Sequence, residues 1–211
     1  MKLKLLALIC ITLLSVAAKA QDGRLSLGVE LALPMGDFAD QTNLGVGGSL
    51  RYEHPLADSR LSLSGTAGVI SFGGEEISSG VPNLLEFKVT TSSLMIPVQV
   101  GLKYYFMEPM DGGYLDVETG VHISTFTVKT ETIMNGNSTS SDDTDSQTNF
   151  SLAPGVGFHM ANFDIGLRYQ MIFVTATTLS VDPVTQQTRS EESSTTYSYL
   201  GLRLAYVFGG Q

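Results

Sequence analysis

Leu94-Met95-Ile96-Pro97-Val98-Gln99-Val100-Gly101-Leu102-Lys103-Tyr104-Tyr105-Phe106 is the stretch on which the fold turns. Its even positions read Leu, Ile, Val, Val, Leu, Tyr, Phe, and its odd positions read Met, Pro, Gln, Gly, Lys, Tyr. An apolar residue at every second position over such a run has the period of a β-strand with two unlike faces, not the 3.6-residue period of a helix. The same alternation recurs seven more times, over Leu25–Leu33, Leu44–Glu53, Leu61–Val69, Leu115–Ser124, Phe150–Met160, Phe163–Phe173 and Tyr199–Phe208. Pro97 and Pro154 fall inside two of these runs. Proline has no N–H for a ladder, so each predicts a bulge or a strand end, with the sixth run pairing from Gly155 onward.

The connectors alternate as well. His54–Asp58, Met107–Gly113 and Ala161-Asn162 are short, whereas 34–43, 72–92, 128–148 and 176–196 are long and rich in Ser, Thr, Asn, Asp and Gly. Short turns at one end and long polar loops at the other describe strands that run up and down. The composition of the polar face then decides which way the sheet curls. It is crowded with glycine (Gly28, Gly45, Gly47, Gly68, Gly101, Gly120, Gly155, Gly157, Gly166, Gly201). Glycine weakens a strand that faces water, but it suits the inner wall of an eight-stranded barrel, where side chains alone fill the bore. The same face carries Glu30, Glu53, Asp116, Glu118 and Asp164 against Arg51, Arg60, Lys103, Arg168 and Arg203. Opposite charges in equal number are what a dry interior demands, since an unpaired buried ion costs several kcal/mol. The apolar face holds no Lys, Arg, Asp or Glu within the eight runs. The pattern predicts an all-β fold: an eight-stranded antiparallel up-and-down transmembrane β-barrel, apolar side to lipid, with short periplasmic turns and four longer extracellular loops. The alternative is a soluble lipocalin-like barrel, which would turn the apolar face inward around a ligand.

The first twenty residues fit this destination. Lys2 and Lys4 precede an apolar run from Leu5 to Ala17, and Ala18-Lys19-Ala20 is a small-x-small cleavage site. Residues 1–20 read as a cleaved signal peptide and 21–211 as one barrel domain. Ile9 before Cys10 does not suit a lipoprotein signal, and cleavage after Ala20 removes Cys10, the one cysteine. Removing twenty of the 211 residues leaves 191; Lys+Arg falls from 12 to 9 while Asp+Glu stays at 21, a net charge of −12. Such a surface argues against nucleic acid as a partner. No apolar run after the leader approaches the length of a membrane-spanning helix, so any spanning must be done by strands.

Three segments carry a family resemblance: Leu31-Ala32-Leu33-Pro34-Met35-Gly36-Asp37-Phe38, then Gly45-Val46-Gly47-Gly48-Ser49-Leu50-Arg51-Tyr52, and the closing Leu200-Gly201-Leu202-Arg203-Leu204-Ala205-Tyr206-Val207-Phe208. The chain resembles the outer-membrane β-barrel domain proteins common in Bacteroidota, a porin-like or PorT-like group akin to the OmpX and OmpA barrels. The resemblance implies residence in the outer membrane among its lipids. It also implies that Leu202, Leu204, Tyr206 and Phe208 form a C-terminal signal read by the barrel-assembly machinery, although Gly209-Gly210-Gln211 follow the last aromatic. Surface partners would meet the loops.

Candidate chemistry is sparse. His122-Ile123-Ser124 resembles the His/Ser pair of the lipid A 3-O-deacylase barrel, in which histidine would deprotonate serine for attack on an ester. The alternation places both inside the lumen, whereas a lipid hydrolase must present them outside, and Thr125-Phe126 departs from that family's pattern. Asp116, Glu118 and His122 share a strand face, but the outer two stand ~20 Å apart at the strand rise, so pairing with lumen bases is expected in place of a metal site. Asp142-Asp143-Thr144-Asp145 lacks the glycine and closing glutamate of an EF-hand loop and reads as a solvated loop. No cofactor and no metal is predicted. The expected lumen network is Glu30, Arg51, Lys103, Asp116, Glu118, His122, Arg168 and Arg203. Function therefore reduces to a non-enzymatic structural or surface-binding scaffold with a plugged polar lumen, against a narrow porin for small solutes or a lipid A-modifying hydrolase on His122 and Ser124.

Overall fold

A computed structural model describes residues 23–56, 60–74, 76–81, 85–107, 110–134, 137–181 and 188–208. The leader 1–20 with Cys10, the cleavage point at Ala20–Gln21, residues Ala57, Asp58, Glu75 and Pro109, and the tail Gly209-Gly210-Gln211 lie outside the described residues. Nine strands follow in chain order: β1 (Arg24–Met35), β2 (Gly45–Pro55), β3 (Leu61–Phe72), β4 (Glu76–Val81), β5 (Leu85–Met107), β6 (Asp111–Met134), β7 (Asn137–Met160), β8 (Phe163–Val181) and β9 (Thr188–Phe208). Eight of them close a ring of antiparallel neighbours. β3 pairs with β5 across the gap left by β4, and β1 pairs with β9 from Leu25↔Phe208 to Met35↔Ser198. β4 stands outside the ring as a short strand on the far half of β5.

The pleat sets the two faces. Lys103 is 0% exposed, whereas the neighbouring Val100 is 59% exposed. The soluble lipocalin-like arrangement would reverse this. The apolar face points outward and the charged face inward along every strand of the ring. At the short-turn rim the outward side chains are aromatic: Tyr104 and Phe106 meet edge to face at 5.9 Å, as do Phe163 and Tyr206 at 5.8 Å and Tyr206 and Phe208 at 4.9 Å. Phe150 and Phe173 stack at 6.0 Å toward the other rim. Aromatic rings at both edges of an apolar band suit the two interfaces of a bilayer.

Inward glycines stand directly across the ladder from large inward side chains. Gly155 faces Arg168, Gly166 faces Arg203, Gly101 faces Glu118, Gly157 faces Tyr114 and Gly45 faces Phe72. A Cβ on Gly155 would sit 2.2 Å from an Asp116 carboxylate oxygen and 2.7 Å from Arg168 Cγ. The wall is thus thinned where its opposite number is bulky, which lets long charged side chains lie within the bore.

The prolines do not end their strands. β7 runs through Pro154, and its ladder with β6 is unbroken there (Val117↔Pro154). Its ladder with β8 lapses at Ala153 and Pro154 and resumes at Leu152↔Met171 in the same register, so pairing is not confined to Gly155 onward. Pro97 behaves alike: it pairs with His122, while the β3–β5 ladder skips from Ala67↔Val98 to Ile70↔Met95. Unchanged register means neither proline makes a bulge. The missing N–H leaves a gap toward one neighbour only.

Three of the four long connectors are continuations of the strands. β5 and β6 stay paired out to Leu85↔Met134, β6 and β7 to Met134↔Asn137, and β8 and β9 to Val181↔Thr188. Polar Ser/Thr-rich sequence reads as loop because it lacks apolar alternation, yet threonine favours strands and each ribbon grows from a strand already in register. Thr125 Oγ1 and Ser146 Oγ lie 3.1 Å apart across it, and Thr127 Oγ1 and Thr144 Oγ1 3.3 Å. At the ~3.3 Å rise per residue, the ten residues of β6 beyond Ser124 project about 33 Å past the barrel. Only the β1–β2 connector turns back at once, through a 3-10 turn at Gly36–Phe38 entered by Gly36 at φ 57°.

Two glycine substitutions separate packing from wall strength. A Cβ on Gly120 would lie 2.1 Å from the Val98 carbonyl oxygen, whereas one on outward-facing Gly65 meets nothing within 4 Å. Gly120→Ala is expected to destabilise the barrel by about 1–3 kcal/mol and Gly65→Ala to leave it unchanged or firmer. The temperature at which the compact gel band of unboiled protein is lost reads both.

Candidate functional site

The inner face builds one continuous structure in three layers. At the short-turn rim, the Tyr105 and Tyr114 rings pack at a tilt with centroids 5.4 Å apart and Met110 beside them, and all three are buried. Their hydroxyls point into the bore: Tyr105 donates to Glu53 Oε2 (2.7 Å) and Tyr114 to Asp164 Oδ1 (3.0 Å). Lys103 Nζ lies over the Tyr114 ring at 3.7 Å and bridges Glu53 Oε1 (2.5 Å) and Asp164 Oδ2 (3.3 Å). An ammonium held between two carboxylates and an aromatic face is desolvated yet compensated on each side.

The middle layer is a chain of alternating charge. Arg168 joins Glu30 (Nη2–Oε1 2.8 Å) to Glu118, whose Oε1 also lies 2.9 Å from Arg51 Nη2. Arg203 reaches Asp164 Oδ1 (3.4 Å) and lies 3.6 Å from Glu30 Oε1. Hydroxyls fill the remaining directions. Arg203 Nε donates to Ser49 Oγ (2.8 Å), which donates to Glu30 Oε1 (2.6 Å). Arg51 Nε donates to Thr66 Oγ1 (3.0 Å), which donates to Glu118 Oε1 (2.8 Å). Asp116 is buried and accepts no hydrogen bond; Arg51 Nη2 stands 3.8 Å from its Oδ2.

The layer at the ribbon rim is apolar. Ala32, Phe38, Ile70, Phe72, Met95, Ile172, Val174 and Tyr199 form one buried cluster. Phe38, carried inward by the 3-10 turn, meets the edge of Phe72 at 5.1 Å, and Phe72 meets Tyr199 at 5.6 Å. Between this layer and the ion pairs a cavity lined by Gln99, Gln170, Arg168 and Tyr199 has a volume of about 10 Å³, room for about one water.

All eight residues assigned to the network by sequence face this bore, and the ion-pair chain links Glu30, Arg51, Glu118, Arg168 and Arg203. Lys103 joins it through Asp164. Asp116 stands at its edge. His122 does not join it, and its Nε2 is 3.2 Å from the Tyr199 hydroxyl in the apolar layer. Arg60, counted among the interior bases, is exposed. It precedes the first residue of β3, at the rim beyond the lumen, so parity alone misplaced it. Among the described residues five carboxylates and four Lys/Arg side chains are buried in the interior, and Arg24, half-buried at the short-turn rim, donates to the Met110 carbonyl (2.7 Å). Sequence reasoning also missed the two closing layers. Their signal was present where alternation collapses into unbroken apolar runs, as at Met171-Ile172-Phe173-Val174.

His122 and Ser124 both face inward, His122 0% exposed, out of reach of lipid. No group of three or more His, Cys, Asp or Glu side chains arranged to hold a metal occurs among the described residues. Asp142–Asp145 lies in β7, not in a loop, so Asp143 (opposite Val128) and Asp145 (opposite Phe126) share one face and Asp142 (opposite Lys129) takes the other. Leu202, Leu204, Tyr206 and Phe208 line the outward face of β9.

The sequence profile of the family described as the outer membrane protein beta-barrel domain matches residues 6–208. No curated protein matches the chain. Similar solved structures include Ail, the attachment invasion locus protein of Yersinia pestis, at 14% identity over 88% of this chain and 97% of that one, with a TM-score of 0.45. The N-terminal β-barrel domain of Pseudomonas aeruginosa OprF is 14% identical over 89% and 98%, with a TM-score of 0.42, and Neisserial surface protein A 10% over 88% and 95%, also 0.42.

Lys103→Met strips Glu53 and Asp164 of their shared cation while keeping similar bulk. It is expected to cost about 3–5 kcal/mol, against less than about 0.5 kcal/mol for Lys129→Met on the exposed ribbon. Urea titration of the two variants in one lipid or detergent, followed by tyrosine fluorescence, measures the difference.

Proposed function

We infer this protein's role from one premise: the chain belongs to the outer membrane protein β-barrel domain family. We propose that it is a non-enzymatic surface scaffold, in which a plugged barrel anchored in outer-membrane lipid presents Ser/Thr-rich β-ribbons outside the cell. The short-turn rim faces the periplasm. The observation that supports this reading is the double closure of the bore, by Tyr105, Tyr114 and Met110 at one end and the Phe38–Phe72–Tyr199 cluster at the other, around a middle crossed by ion pairs. A narrow porin needs a continuous wet path, and an eight-stranded bore lined by long side chains leaves none. The hydrolase reading needs His122 and Ser124 at the lipid face, opposite to their placement.

Residues 1–20 are the export signal, and the outward row Leu202, Leu204, Tyr206, Phe208 is the strand that the barrel-assembly machinery reads. The kinship lies with PorT-like barrels of Bacteroidota. Surface partners meet the ribbons, and nucleic acid is not among them.

Planar bilayers containing the purified mature protein are expected to show no steady current steps; a stable conductance of nanosiemens size would transfer the reading to the porin. The lipid A acyl count of producing cells, read by mass spectrometry, is expected to match that of cells making His122→Ala; an acyl chain lost only with the unaltered protein would make it a hydrolase.

A further inference from the structure

Beyond the membrane, β4, β5, β6 and β7 continue as a four-stranded sheet. One of its edges is long and open. β7 pairs with β8 only from Phe150 onward, so over Asn137–Asn149 its one described neighbour is β6. This segment, Asn-Ser-Thr-Ser-Ser-Asp-Asp-Thr-Asp-Ser-Gln-Thr-Asn, has no proline, no lysine and no register shift. Proline, lysine and a bulge are three of the usual devices that keep an open edge from pairing with another chain, and none is present here. What it does carry is the acid run, Asp142, Asp143 and Asp145, all exposed, and Asp143 is the midpoint of the open stretch.

We propose that Asp142, Asp143 and Asp145 are a charge guard that holds the open edge of β7 apart from the same edge of a second copy. The second copy is the occupant for which the geometry is self-complementary. Two barrels side by side in one membrane would bring the edges together in parallel, with acid run against acid run. Two barrels in apposed membranes would bring them together antiparallel, and full overlap about the midpoint sets Asp143 opposite Asp143, with each Asp145 diagonal to it. In both senses like charges face one another at pair distance, the arrangement that disfavours strand pairing. Lys129 does not relieve this. Lys129 lies across β6–β7 from Asp142, on the side away from the open edge. Asp145 is occupied locally, accepting from the Ser146 N–H (3.0 Å) and the Gln147 side-chain amide (3.2 Å), which keeps its charge at the strand. The acid run therefore acts by exclusion, and this inference stands whether or not the lumen conducts.

The test is the mass of the mature full-length protein in detergent, by light scattering after size exclusion, for three forms: unaltered, D142N/D143N/D145N, and D142K/D143K/D145K. Folding of each is checked by the compact band of the unboiled protein. The unaltered and Lys forms are expected to be monomers alone and to form a one-to-one dimer when mixed, and the Asn form is expected to self-associate at least tenfold more tightly than the unaltered protein. Folded Asn protein that stays monomeric overturns the proposal. So does an unaltered protein that is already dimeric, or an Asn dimer with no counterpart in the mixture, since that contact lies elsewhere.

Discussion

Charged groups sit inside a narrow protein cylinder at little cost only when met by their opposites, and every buried ion among the described residues of this barrel meets that condition closely except Asp116, which accepts no hydrogen bond. Glu118 is held by Arg51 and Arg168, Glu30 by Arg168 with Arg203 close by, and Asp164 by Lys103 and Arg203. Each cation reaches across from a different strand than its carboxylates, so the network ties β1, β2, β5, β6, β8 and β9 through the middle of the molecule. Hydrophobic attraction does not do this work, because the outward apolar face is solvated by lipid as well as by protein. The interior polar chemistry selects one arrangement of strands over its neighbours in register, since a slip of one residue would turn every charge to the lipid.

Space is the second half of the same condition. Arginine and glutamate fill a bore that eight strands barely open, and the wall yields to them at Gly155, Gly166 and Gly101. Where no ion is present the same device admits rings, with Gly157 across from Tyr114 and Gly45 across from Phe72. Ionic middle and aromatic ends are two uses of one wall.

Much of this was legible in the amino-acid order. The faces of Leu94–Phe106 and the seven other runs follow from a period of two, and the partners of Lys103 and Arg168 had to be acids on the inner face. Three things were not legible. Arg60 has the parity of an interior residue but stands where the strand has not yet begun. Pro97 and Pro154 signalled a broken strand, because a sequence does not show which neighbour an N–H would have faced. The Ser/Thr ribbons carry no apolar alternation, as over residues 137–148 of β7, where the side chains on both faces are exposed. Their strand character is inherited through register from the membrane segment below. The apolar plug was visible only as a disturbance, where the inner parity turns to Ile70, Phe72, Ile172 and Val174.

The continuity of β5, β6 and β7 from the bore into the exterior has a mechanical consequence. A load applied at the far end of these ribbons along the strand direction meets hydrogen bonds lying perpendicular to it. They are stressed together in shear, and none is peeled in turn. Tension passes down unbroken covalent backbone to the ion-paired middle, with no flexible joint between. The exterior sheet is for that reason a stiff mast stepped on the keel of the barrel.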